Sequence, residues 1–246
     1  MKKLLGLCLG IALLMAIPLA VSATTFTMNP SQLQALYETY ENPDSEGTFL
    51  SMPVGILPDG AKYTGNVLTN ETGWGQIQIG ANFWGIPYGG SAGDEATNVA
   101  LGMGSLAGYD SYALSIENVN ENAWEFNLYF NVGWTDSPFD ETNYYVQNAW
   151  TTINKDEKKQ VVLDFTSCYV WGGAYNGDLI DFTTVAGVNW DHITNIGLNI
   201  GGNMPLPGVD YTYEAKVNPI PVPATLLLLG SGLLGLAGIR KRFNKK

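Results

Sequence analysis

From Ala123 to Val132 the chain alternates Trp124, Phe126, Leu128, Phe130 and Val132 with Glu125, Asn127, Tyr129 and Asn131. In an extended strand successive side chains point to opposite faces, whereas a helix cannot gather every second residue onto one side. The run therefore reads as a strand with one large apolar face that must be covered. The same period returns in Tyr112, Leu114 and Ile116, in Val161, Leu163 and Phe165, in Thr194, Ile196, Leu198 and Ile200, and again from Tyr211 to Val217. Residues Trp150 to Ile153 and Gln160 to Thr166 flank the charged stretch NKDEKK and read as a hairpin. Short strands separated by turns, without helices between them, predict an all-β fold, an antiparallel β-sandwich.

One short helix is expected in front of the sandwich, over Ser31 to Tyr40. Ser31 would be its cap, and Leu33, Leu36, Tyr37 and Tyr40 lie at helical spacing. Glu41 to Gly60 is rich in Pro, Gly, Asp and Ser and reads as loop. The expected organisation is helix and loop at 24–60 and a sandwich domain at 61–217.

Both ends of the chain are apolar with cations outside them. Lys2 and Lys3 precede an apolar run from Leu4 to Ala20, which finishes in the small residues Val21, Ser22 and Ala23. This is the order of a secretory signal peptide, residues 1–23, with cleavage expected after Ala23. The Sec translocon and signal peptidase are the implied partners. At the other end an apolar run from Ala224 to Ile239 stops at Arg240. As a helix it would reach about 24 Å, a thin single transmembrane span. The basic end at 240–246 would stay cytoplasmic, leaving the acidic bulk of the chain outside and an inner-membrane-tethered intermediate.

The tail from 218 to 246 resembles the PEP-CTERM sorting tails of Gram-negative bacteria. The likeness rests on Pro221-Val222-Pro223-Ala224-Thr225, the LLLLGSGLLGLAG helix and the basic cluster Arg240, Lys241 and Arg242. Val222 departs from the pattern, which has a glutamate at that place. The resemblance implies an exosortase-like partner, cleavage near Pro223, and a destination in the outer envelope, at the cell surface or in an extracellular polysaccharide matrix.

Between the two ends stand five lysines, Lys62, Lys155, Lys158, Lys159 and Lys216, against all 23 carboxylates, with no Arg. Phosphate recognition needs concentrated positive charge, so nucleic acid is not an expected partner. Cys168 is alone once Cys8 leaves with the signal, which excludes an intramolecular disulfide, and its apolar surroundings point to a buried, inert thiol. With His192 the one histidine, neither a catalytic triad nor a zinc site can be assembled. His192 is expected to cap the approach to a strand, and GSAGD at 90–94 to be a turn. No cofactor is expected; structural calcium is the open alternative, with Asp178 and Asp181, or the carboxylates of DSPFDE at 136–141, as oxygen donors.

Three stretches, AWEFNLYFNVGW, WTTINKDEKKQVVLDF and DHITNIGLNIGGNMPLPGVDYTYEAKV, are similar to the galactose-binding type of jelly roll found in many carbohydrate-binding modules. The resemblance spans Leu101 to Val217 and implies a jelly roll and a sugar-binding role. Sugar recognition uses flat aromatic faces with amides and carboxylates for the hydroxyls. The candidates are Glu125, Asn127, Tyr129, Asn195 and Asn199 on strand faces turned from the core, with Trp134, Tyr145 and Trp171 at loops. Trp124, Trp150 and Trp190 are assigned to the core. The expected function is a non-catalytic surface protein that binds polysaccharide. The alternatives are a structural matrix or adhesion protein without a defined ligand, and a glycan-active enzyme using Glu125 as one of two carboxylates.

Overall fold

The alternating runs pair as strands of two facing sheets. The computed structural model describes residues 24–42, 54–80, 99–134 and 144–220, and among them fourteen strands. One sheet holds β1 (Thr25–Phe26), β3 (Val54–Leu57), β4 (Gly60–Leu68), β6 (Ser111–Asn118), β10 (Lys158–Asp164) and β14 (Asp210–Asn218). The other holds β2 (Tyr37–Asn42), β5 (Trp74–Gly80), β7 (Trp124–Trp134), β8 (Tyr144–Gln147), β9 (Thr151–Ile153), β11 (Cys168–Gly172), β12 (Tyr175–Ile180) and β13 (Val188–Asn203).

In the first sheet β14 lies between β4 and β6, with β3 beyond β4 and β10 on the far edge of β6. β1 runs parallel to β6 at Ser111 and Tyr112, sharing with β14 the edge that β10 leaves open. The second sheet runs β12-β11-β8-β7-β13-β5-β2, and β9 takes over from β8 along the same edge of β7. Four antiparallel pairs nest within one another in sequence: β4 with β14, β5 with β13, β6 with β10, and β7 with β8. They fall alternately in the first and second sheets. One long hairpin wound across two sheets in this way is a jelly roll.

The core fills the space between the sheets. Tyr112, Leu114, Ile116, Val161, Leu163 and Tyr213 come from the first, and Trp124, Phe126, Leu128, Phe130, Ile196, Leu198 and Ile200 from the second, all at 2% exposure or less. Phe130 sits among Phe165, Phe182 and Trp190, with ring centroids 5.3 to 6.1 Å apart. Edge and offset contacts of this kind add about 0.5–1.5 kcal/mol each to the area they bury. Trp124 and Trp190 thus take the core places expected of them.

The N-terminal segment departs from expectation. The helix, α1, covers only Pro30–Gln34. Its cap is Asn29 rather than Ser31: the Asn29 side chain accepts from Gln32 N at 3.0 Å, and the Gln32 side chain accepts from Asn29 N at 2.8 Å. Leu33 and Leu36 are buried, but Tyr37 and its successors extend as β2 along the free edge of β5. One helical turn has little stability of its own, so pairing with an open sheet edge wins. With β1, β2 and β3 the sandwich draws on residues well ahead of position 61.

The stretch around NKDEKK is a crossover instead of a hairpin. β9 pairs with β7 in the second sheet and β10 with β6 in the first. A polar turn between alternating runs reads the same whether the chain reverses within a sheet or steps to the facing one; the partner edges decide. His192 lies inside β13, buried, where the pairing with β7 is irregular, and not at a strand entrance. The signal segment, the GSAGD and DSPFDE stretches and the apolar span at 224–239 lie outside the described residues.

Candidate functional site

The side of the second sheet turned away from the core carries most of the candidate residues. With Ile196, Leu198 and Ile200 inward, β13 presents Asn195, Gly197, Asn199 and Gly201 outward. Register then builds cross-strand rows: Gln78, Asn199 and Asn127; Gly80, Gly197, Tyr129 and Gln147; Asn195, Asn131, Tyr145 and Trp171. Glu125, half-buried, lies one step along, between Gly201 and Thr152.

Two tyrosines lie across these rows. Tyr129 pairs with bare Gly197 in register, and its hydroxyl donates to Asn195 Oδ1 at 3.1 Å. A methyl group at Gly80 would stand 2.2 Å from that hydroxyl, so the missing side chain makes room for the end of the ring. Tyr145 stacks on Tyr129, with centroids 5.5 Å apart and planes at 23°, and Trp171 meets Tyr145 edge-on at 5.8 Å. Trp171 is itself backed by Gly177, where a methyl group would come within 3.0 Å of the indole.

The Tyr145 hydroxyl is the hub of an amide network. It accepts from Asn199 Nδ2 at 2.8 Å and Gln78 Nε2 at 3.3 Å, and donates to Gln147 Oε1 at 3.0 Å. Asn199 Nδ2 also reaches Asn127 Oδ1 at 2.7 Å, and Asn127 Nδ2 reaches Gln147 Oε1 at 3.2 Å. Burial holds the Tyr145 phenol well above its ordinary range, against the opposing effect of the Asn199 and Gln78 hydrogen bonds. It therefore stays a neutral donor.

These residues are expected on strand faces turned from the core, and they lie there, yet most are shut off from solvent. Asn127, Tyr129, Asn195 and Asn199 are fully buried, and Asn131 is 2% exposed. Among the described residues, Asn131 Oδ1, Asn195 Nδ2 and Asn199 Oδ1 have no hydrogen-bond partner. Leaving such an atom unpaired costs about 1–3 kcal/mol. The accessible part is the rim: Tyr145, Gln147, Trp171, Glu125 and Gln76, each half-buried.

Trp150 belongs to this face as well, not to the core. It packs edge-on against Trp74 at 5.3 Å, and a methyl group at Gly201 would be 3.3 Å from its Cη2. Trp134 ends β7, pairing through its backbone with Val188, and its side chain lies outside the described ones. Gln76, Gln78, Gln147 and Trp74 were missed from sequence. Amides sharing one face in three separate strands, Gln76 and Gln78, Asn127 and Asn131, and Asn195 and Asn199, were the available signal.

Of the calcium candidates, the two among the described residues are engaged locally. Asp178 accepts from Asn176 N at 3.0 Å, and Asp181 accepts from Thr183 N at 3.0 Å, capping the short turn Phe182–Thr184.

The sandwich closes at its C-terminal edge just as the apolar tail approaches. Asn218, the last residue of β14, donates from Nδ2 to the Asp59 carbonyl at 3.1 Å, and Ile220 N donates to Thr27 Oγ1 at 3.1 Å. Residues 219–242 match the PEP-CTERM protein-sorting motif. The PEP-CTERM match begins where β14 stops, so sorting signal and folded domain are consecutive and nearly without overlap. It indicates an exported protein processed by an exosortase and sorted to the cell envelope, with a β-sandwich as its body. No curated protein matches this chain.

Proposed function

We propose that this chain is a non-catalytic surface protein that holds polysaccharide on the outer side of its second sheet. In this reading the Sec translocon and signal peptidase export it, and the tail tethers it in the inner membrane until exosortase processing. It then works in the outer envelope or exopolysaccharide of a Gram-negative cell. The observation that carries the sugar-binding role is the Tyr129–Tyr145 stack with Trp171 against its edge, bedded on interlinked amides. Fixed aromatic rings beside amides offer a pyranose both its apolar face and its hydroxyls a partner. The buried amides act as a foundation that locks the rings, and contact falls to the half-buried rim. Hydrolysis of a glycoside uses two carboxylates, whereas the cross-strand neighbours of Glu125 are Gly201 and Thr152, which favours binding over turnover.

A glycan array probed with the full chain in detergent tests this. Saturable binding is expected, weakened about tenfold by Trp171→Ala, the loss of one stacking contact. A silent array would leave a structural matrix role in its place. Polysaccharide cleavage abolished by Glu125→Gln would make the protein an enzyme.

A further inference from the structure

Resting on that sugar-binding reading, we propose that the ligand class is a neutral polysaccharide and that acidic ones are rejected. The two outer faces divide the charge between them. On the first sheet Lys62, Lys216, Glu117 and Lys158 follow one another across neighbouring strands, with Lys216 paired to Glu117 at 3.0 Å and Lys62 to Glu214 at 3.3 Å. Lys155 is in the turn after β9, and Lys159 donates to the Thr152 carbonyl at the edge of the second sheet at 2.7 Å while paired to Glu157 at 3.1 Å. These are all the cations between residues 4 and 239, so residues 81–98 and 135–143 bring none to the second sheet either.

The outer face of that sheet therefore meets a ligand with amides, phenols, indoles and the Glu125 carboxylate. Uronates and sulfated or phosphorylated sugars need a cation or a fork of donors to replace their hydration, and here they would meet a carboxylate on a strongly acidic body. Uncharged hydroxyls are satisfied by amides alone. The test is native electrophoresis of the full chain in detergent, through gels containing a soluble β-glucan or galactomannan, or else alginate or polygalacturonate. Retardation by a neutral polymer, insensitive to salt and lost with Trp171→Ala, is expected, with none by the acidic pair. Retardation by alginate or polygalacturonate that Trp171→Ala abolishes would overturn the neutral assignment while keeping a sugar site. No retardation in any gel would overturn the sugar-binding reading itself.

A separate observation concerns the start of the domain. Thr24 is tied down at once: its N donates to Asp110 Oδ2 at 2.8 Å, its carbonyl accepts from Asp110 N at 2.8 Å, and its hydroxyl donates to the Gly108 carbonyl. Thr25 and Phe26 then enter the sheet beside Ser111 and Tyr112. We infer that signal cleavage after Ala23 turns the Thr24 amide into an ammonium already seated on the Asp110 carboxylate, so that export completes an ion pair of the fold.

Both groups are exposed, so the expected effect is small. The exported protein should begin at Thr24 by intact mass, and Asp110→Asn should lower its melting temperature by about 2 °C. The same substitution should change nothing once the α-amino group is acetylated. A different first residue, or an equal Asp110→Asn loss in free and acetylated forms, would overturn the latch. Absence of any processed form outside the cytoplasm would instead overturn export.

Discussion

Gly197→Ala is expected to prevent the sandwich from closing, with a loss of at least about 3 kcal/mol in urea unfolding or failure to recover folded protein. A methyl group there would stand 1.9 Å from the Ile79 carbonyl and 2.7 Å from Gly80 Cα. The obstacle is backbone of the neighbouring strand, which no rotamer can move aside. Gly108→Ala is the control. Gly108 has φ +81° and nothing within 4 Å of the added methyl group, so it carries left-handed strain alone, about 1 kcal/mol. Equal losses at the two positions would contradict the steric account.

Alkali should unfold the protein far more effectively than mild acid. Burial pushes the Cys168 thiol from an ordinary 9.0 up to about 12, and it raises the Tyr63, Tyr112 and Tyr145 phenols well above 10.0. The folded state holds these protons where the unfolded chain has released them, so stability falls as pH rises. It is fully present below about pH 9, the thiol withdraws up to about 4 kcal/mol by about pH 12, and the phenols add to this from about pH 10. Urea midpoints across this range should be flat near neutrality and then collapse. Cys168→Ala should move the onset upward by about one pH unit, leaving the tyrosine contribution. A midpoint that stays level to about pH 11 would refute the burial argument.

The long strands were legible because each alternates large apolar residues with something smaller or polar. Trp124 to Val132 and Thr194 to Ile200 cannot be read otherwise, and an antiparallel sandwich follows once they must cover each other. The short strands Tyr144–Gln147 and Cys168–Gly172 escaped because so few residues do not establish a period. The destination of the NKDEKK turn was not local information either, since it depends on which edge of β6 or β7 is free.

The candidate site was half visible. Asn127, Tyr129, Asn195 and Asn199 were rightly placed off the core. Their polarity nevertheless argued for solvent, and only the register reveals that Gln78, Gln147 and Tyr145 close around them. Trp150 misled for the opposite reason: an indole at the start of a strand reads as core, while its actual bed is Gly201, a residue with no side chain to announce the contact.

The strand joined directly to the sorting tail is not peripheral. β14 lies between β4 and β6, bonded to both over Ala215 to Val217. The keystone of the first sheet is thus the last strand of the sandwich to be made, with the sorting motif directly behind it, and everything before it must wait with an open seam. Such late, long-range closure is slow and leaves strand edges exposed meanwhile. Under the proposed tethering of the tail in the inner membrane, each molecule would have that interval in isolation, and the seam would be sealed before the protein is released among its own copies.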